Sequence, residues 1–232
     1  MVSYYGSMAV ALTGMPTMTA VVRNMEPEDL RFAAELHGRS LRHGLFPALG
    51  RRFLARYLGT YLRTSGGVAL IAECAGKPAG FLVGVLDERT HYRQAIRLDG
   101  VRLTVAGLTA LALRPRVAWR FFRTRACRYV VGIGRLARGR KAPSDRSTTD
   151  PPAAVLSHVA VLPEFRGAGV GGDLVEAFSG AVRAATISTI RLTTRAGNKG
   201  AGDFYRQLGW RRTDTFMDAD GFAWDRYRFD VS

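Results

Sequence analysis

The sequence of 232 residues contains only two cysteines, Cys74 and Cys127. They lie far apart, in apolar or basic surroundings, and lack the close spacing of metal-binding cysteine pairs. The pattern therefore gives no indication of a zinc or iron–sulfur site. We expect a reduced, cytoplasmic protein without a bound metal.

Long apolar runs are also missing, since none approaches the roughly 20 residues that span a bilayer. The first 18 residues lack the basic region that opens a signal peptide, and we interpret residues 1–18 as a flexible leader. Because 47% of the chain is hydrophobic, the remaining residues 19–232 can bury one substantial core. We expect a single domain there.

Acidic residues are nearly absent from one segment. From Arg93 to Lys141 the sequence has thirteen arginine and lysine residues and a single acid, Asp99, so this segment carries +12 of the formal charge of +15. A polar linker at 142–152 follows it. Such a basic insertion could bind nucleic acid, an anionic membrane surface or a phosphorylated acceptor, and the plain structural alternative is a solvated basic face on a packed helical flap.

Hydrophobic periodicity predicts the order of the elements. A short strand at 19–24 precedes two helices, one ending near Leu41 and one that contains Phe53 and Tyr61. A hairpin at 68–75 and 78–86 follows. We expect a helix at 101–113, a second one from Pro115, and a closing strand pair at 211–216 and 223–231. The fold class is α/β, with a mixed sheet.

The most informative stretch runs from Ala153 to Trp210. Val155, Val159 and Val161 form a strand pattern, and a glycine-rich turn then leads into a helix. Glycines at a helix N-terminus, with an arginine at the mouth of the turn, suit an anion such as a phosphate. The turn contains Arg166, Gly167, Ala168, Gly169, Val170, Gly171 and Gly172.

Two other phosphate-binding classes do not fit this turn. A nucleoside-triphosphate loop requires Gly-Lys-Ser/Thr, but Asp173 follows Gly171 and Gly172 here. A dinucleotide fingerprint requires an acid at the end of the next strand, where this chain has Arg195. A purely structural turn remains the simple alternative for the glycines alone.

A second motif indicates which class of protein contains this turn. Arg166-x-x-Gly169-x-Gly171, followed by Asn198-x-x-Ala201-x-x-Phe204-Tyr205-x-x-x-Gly209-Trp210, resembles the GNAT superfamily of N-acetyltransferases. The resemblance covers about sixty residues, and the upstream order of elements is also similar. It implies a GNAT fold with a mixed central sheet flanked by helices. The basic helical insertion between the third and fourth strands departs from the family pattern.

The resemblance implies acetyl-CoA as cofactor, with CoA as product. Its pantetheine would pair with the backbone of Val159, Ala160 and Val161, and its pyrophosphate would lie in the turn from Arg166 to Gly172. Free N–H groups of the same strand would polarise the thioester carbonyl. Asn198 and Tyr205, two helical turns apart, would face the same cofactor.

Tyr205 is the residue that the resemblance assigns as general acid, protonating the leaving thiolate; its plain alternative is a core aromatic beside Phe204. His158 is our candidate general base, because imidazole titrates near neutrality, although a buried structural histidine fits equally well. Glu73, Asp87 and Glu88 are rivals, and a water relay is another.

The function expected is direct transfer of an acetyl group from acetyl-CoA to a primary amine, the acceptor being an amino sugar or another anionic small molecule. Acetyl and longer acyl donors are not distinguished. The alternative is a non-catalytic module that uses the arginine-rich segment to bind nucleic acid or an anionic membrane. The protein could also bind peripherally to the inner face of the membrane, and it could form a homodimer.

Overall fold

The computed structural model describes residues 20–41, 45–115, 118–119, 152–197, 199–218 and 221–231. Its strands are β1 (Val21–Asn24), β2 (Gly67–Cys74), β3 (Lys77–Val85), β4 (Ala154–Val161), β5 (Thr189–Arg195), β6 (Arg211–Met217) and β7 (Ala223–Asp230). Its helices are α1 (Leu30–Ser40), α2 (Leu45–Leu49), α3 (Arg51–Arg63), α4 (Glu88–Ala112), α5 (Val170–Ala184) and α6 (Lys199–Gln207). The predicted α/β class is confirmed.

Within the described residues the strands form one mixed sheet in the order β1-β2-β3-β4-β5-β7-β6. The β2–β3 hairpin is antiparallel as predicted, whereas β4 and β5 run parallel. The closing pair, β6 and β7, is antiparallel. The last strand, β7, lies between β5 and β6, so β6 forms the edge of the sheet.

Helices cover both faces of the sheet. On one face α1 and α3 bury a cluster that includes Leu58, Ile71 and Phe81. On the other face α5 packs through Leu174 and Phe178. A side chain at Gly84 would place its Cβ 2.5 Å from the Phe178 ring, so α5 can approach β3 this closely only over a glycine.

Helix α4 lies against α3 and α2 rather than on the sheet, through a small cluster of Leu49, Phe53, Ala106 and Ala110. The prediction that this helix begins at Val101 was wrong, because it begins at Glu88. The Asp87 carboxylate accepts a hydrogen bond from the Arg89 amide at 2.9 Å and caps the helix there.

The location of the insertion agrees with the prediction, since it lies between β3 and β4. Its predicted remainder at 120–141, the linker at 142–151 and the leader at 1–18 lie outside the described residues. Among the helices that the structure describes, none combines the length and apolar character needed to cross a membrane.

Candidate active site

Strands β4 and β5 separate soon after they meet. They pair only at Ala154–Ile190 and Val155–Arg191, although β4 continues to Val161 and β5 to Arg195. A β-bulge in the β3–β4 ladder, between Val83 and Gly84, accompanies the separation and bends the strand. The divergence opens a cleft of about 800 Å³ in the middle of the sheet.

One edge of β4 is left free to bind something in this cleft. The Leu162 amide donates to the Ala79 carbonyl oxygen of the β3 side at 2.8 Å, and the antiparallel register pairs Ala160 with Phe81. Because alternate residues of an antiparallel strand direct their N–H and C=O groups to opposite edges, Val159 and Val161 direct theirs toward the cleft.

The glycine-rich turn closes the end of the cleft at the start of α5. Gly167 (φ +80°) and Gly169 (φ +88°) adopt the left-handed conformation that glycine permits without strain. A Cβ on Gly171 would lie 3.1 Å from the Phe204 ring of α6, so this glycine allows the turn and α6 to meet. The Arg166 Nε donates to the Val161 carbonyl oxygen at 3.2 Å.

Most of the residues expected to bind the cofactor lie on the cleft. Those that line it are Val159, Ala160, Val161, Arg166, Gly167, Gly171 and Tyr205. Ala168, Gly169, Val170 and Gly172 belong to the turn but not to the lining, and Val170 is buried in the core beneath it. Asn198 lies outside the described residues.

Tyr205 is both a core aromatic and a cleft residue. Its ring packs against Phe204, Trp210 and Tyr227 with centroids 5.1, 5.5 and 5.9 Å away. Burial raises the pKa of its hydroxyl well above the ordinary tyrosine value, so the hydroxyl is protonated at neutral pH. The core-aromatic interpretation is therefore confirmed, and the general-acid role stays a prediction.

His158 lines the opposite wall, on the face of β4 that packs against α1 and α3. Its Nε2 lies 3.3 Å from the Tyr57 hydroxyl, which lies 2.8 Å from the Tyr61 hydroxyl. The His37 ring contacts it edge-on at 4.7 Å between centroids. Burial and the neighbouring His37 lower the pKa of His158 to about 3, so the imidazole is neutral at pH 7.

His37 is a cleft residue that the sequence interpretation missed. Its side chain is 2% exposed, and neither ring nitrogen has a hydrogen-bond partner among the described residues. Burial lowers its pKa to about 4. The available signal was a histidine at a core-facing position of α1, next to Leu36, where an apolar residue is the ordinary choice.

The rival bases are engaged elsewhere. Glu73 binds the Arg23 guanidinium at 2.7 Å, and Asp87 caps α4. Glu88 is the first residue of α4. Among the described residues, none of these three carboxylates lines the cleft.

The far end of the cleft is built from segments that carried no motif. Phe46 and Pro47 of α2 line the cleft, and so do Asp218 and Trp224. The Trp224 indole Nε1 donates to the Asp218 carboxylate at 2.9 Å. The arginines of the basic insertion that the structure describes, at 93, 97, 102 and 114, do not line the cleft.

Comparison with known proteins bears on this architecture. Residues 126–210 match the model of the Acetyltransferase (GNAT) family. The sequence matches none of the curated proteins with which it was compared. Similar solved structures include Ard1 from Thermoplasma volcanium, 18% identical, with a TM-score of 0.55 over 92% of this chain and 98% of that one. The ribosomal-protein-S18-alanine N-acetyltransferase from Escherichia coli is 15% identical, with a TM-score of 0.53 over 92% and 95%.

At these identities the structural likeness shows the fold alone, and the family match supplies the sequence evidence. Residues 126–210 thus match the GNAT acetyltransferase family in sequence, and the chain shares the fold of the solved acetyltransferase structures. The resemblance inferred from the Arg166–Gly171 and Asn198–Trp210 motifs is therefore confirmed.

Proposed function

We propose that this protein transfers an acetyl group from acetyl-CoA to a primary amine by direct attack of the amine. The observation that carries the proposal is the separation of β4 from β5 beside a glycine turn. It leaves backbone donors, an anion-binding turn and a protonated tyrosine around one cleft.

The residues present fit acetyl-CoA. The cleft of about 800 Å³ is of the size that holds a cofactor. Gly167 and Gly169 carry no side chain, and nothing lies within 4 Å of a Cβ built on either, so the backbone is uncovered at the N-terminus of α5, where partial positive charge favours a phosphate. Val159, Val161 and Arg166 would hold the chain and the pyrophosphate of the cofactor, which supplies the thioester and the leaving thiolate when bound.

The residues of this chain would then act in three ways. A free N–H of Val159 or Val161 stabilises negative charge on the carbonyl oxygen. The Tyr205 hydroxyl, held protonated by burial, gives its proton to the departing sulfur. His158, neutral at pH 7, accepts the proton of the amine directly or through water while Tyr57 holds its Nε2.

A low pKa limits the role of His158. An imidazole with a pKa of about 3 holds a proton only briefly at neutral pH. We therefore propose that it passes the amine proton on to water rather than storing it, and that the amine binds in its neutral form. Turnover should accordingly rise with pH through the pKa of the acceptor amine.

The acceptor is proposed only as a primary amine, with nucleotide amino sugars as the first compounds to try. The test is CoA release from acetyl-CoA in the presence of a panel of amines, peptide N-termini and amino sugars. Turnover with at least one amine, reduced by changes at Tyr205, supports the proposal. CoA binding without turnover on any acceptor would favour a non-catalytic module instead.

A further inference from the structure

Helix α4 presents several large apolar side chains outward. The side chains that it packs toward α2 and α3 include the buried Ala106 and Ala110 and the partly buried Leu103 and Leu111. Its exposed residues include Leu98 (56% exposed), Val101 (80%), Val105 (58%) and Leu108 (62%). A helix whose outer side faced only water would carry polar and charged residues there.

These four residues form one continuous stripe. Their spacing of three, four and three residues places them on the same side of a helix, along about three turns. We name Leu98, Val101, Val105 and Leu108 the outer stripe. Beyond the end of α4, Leu113 and Trp119 are also exposed.

Exposed arginines flank the outer stripe. Arg97 and Arg102 are both exposed and have no acidic partner among the described residues. Asp99, the only acid of the segment from 93 to 141, is buried and bound to Arg63 at 2.8 Å. The outward surface of this helix is therefore apolar along its centre and positive at its margins.

We propose that α4 docks on an anionic membrane surface, with the outer stripe at the boundary of the acyl chains and Arg97 and Arg102 at the lipid phosphates. Apolar side chains bordered by cations are the composition of helices that lie in a membrane interface. Trp119 fits the same environment, because tryptophan is enriched at headgroup depth.

Other occupants fit the surface less well. A second copy docked through the same face would bring two positively charged helix surfaces together. Nucleic acid would use the arginines but would leave four aliphatic side chains without a role. The membrane uses both features.

Vesicle sedimentation of the full chain tests the proposal, with phosphatidylcholine alone and with an equimolar mixture of phosphatidylcholine and phosphatidylglycerol. The wild-type protein should bind the mixed vesicles far more strongly. Arg97→Gln with Arg102→Gln should weaken binding on the order of twentyfold. Val101→Ser with Val105→Ser should weaken it by about tenfold or more.

Matched controls remove the same numbers of exposed apolar side chains and charges outside α4. Val21→Ser with Met217→Ser changes two residues that are similarly exposed outside α4, and Arg31→Gln with Lys77→Gln removes two charges. Both controls should bind like the wild type, and circular dichroism should show all variants folded.

Three results would overturn the proposal. One is the absence of binding to anionic vesicles. Another is loss of binding in the arginine variant while the serine variant binds normally, which would indicate charge alone. The third is a dimer in light scattering that dissociates on the serine changes, which would make a second copy the occupant.

Discussion

The change Tyr205→Phe separates the two possible roles of Tyr205, packing in the core and proton donation in the cleft. The ring contacts with Phe204, Trp210 and Tyr227 survive in phenylalanine, so packing of the core is retained. Only the hydroxyl at the cleft is lost. If that hydroxyl protonates the leaving sulfur, turnover should fall by roughly 10²–10⁴.

The size of this effect contrasts with the expected change in stability. A hundredfold to ten-thousandfold loss corresponds to roughly 3–5 kcal/mol of transition-state stabilisation. Loss of one hydroxyl without a hydrogen-bond partner among the described residues should change the free energy of unfolding by about 1 kcal/mol or less. The catalytic loss should therefore greatly exceed the loss of stability.

The assay is CoA release at saturating acetyl-CoA and amine, beside urea unfolding of the same preparations. Tyr227→Phe is the matched control, because Tyr227 is equally buried and in ring contact with Tyr205 but does not line the cleft. It should retain activity within about threefold of the wild type. Unchanged turnover in Tyr205→Phe, or an equal loss in both variants, would refute the general-acid role.

Three further outcomes follow from the same geometry. Arg166→Gln should weaken acetyl-CoA binding by about tenfold or more in calorimetry, while Arg31→Gln leaves it unchanged. Tyr57→Phe should lower kcat more than it raises KM, because the neighbour of His158 Nε2 is lost; an unchanged kcat would contradict this. As pH falls from about 6.5 toward 4, the unfolded chain takes up protons on both histidines, His37 and His158, before the folded chain does, and His37 alone should account for about 3 kcal/mol of the stability lost in urea unfolding. A His37→Leu variant that loses stability just as steeply would contradict that assignment.

Local patterns in the sequence predicted much of the fold. Glycine turns, proline positions and alternating apolar residues marked β2, β3, β4, α5 and the closing strands to within a few residues, since these signals depend on near neighbours. The start of α4 was missed because its first buried positions are His91, Ala95 and Asp99, so the buried face shows no apolar periodicity there. The capping position of Asp87 was the signal that remained.

Of the candidate site, only the end with the glycine turn and Tyr205 was predicted from the sequence. The glycine turn and Tyr205 lie in motifs of contiguous sequence, and both reach the cleft or its rim. The contact of Tyr57 with His158 joins residues 101 positions apart, and no local pattern encodes such a meeting. The divergence of β4 from β5 is equally non-local, because it depends on which strand pairs end early.

The central claim is that the free edge of β4 binds acetyl-CoA, and residue-resolved amide hydrogen exchange tests it most directly. On addition of acetyl-CoA, the amides of Val159 and Val161 should gain protection of about tenfold or more. The Leu162 amide, already bonded to Ala79, should change much less. Unaltered exchange at Val159 and Val161 while acetyl-CoA is bound would contradict the account.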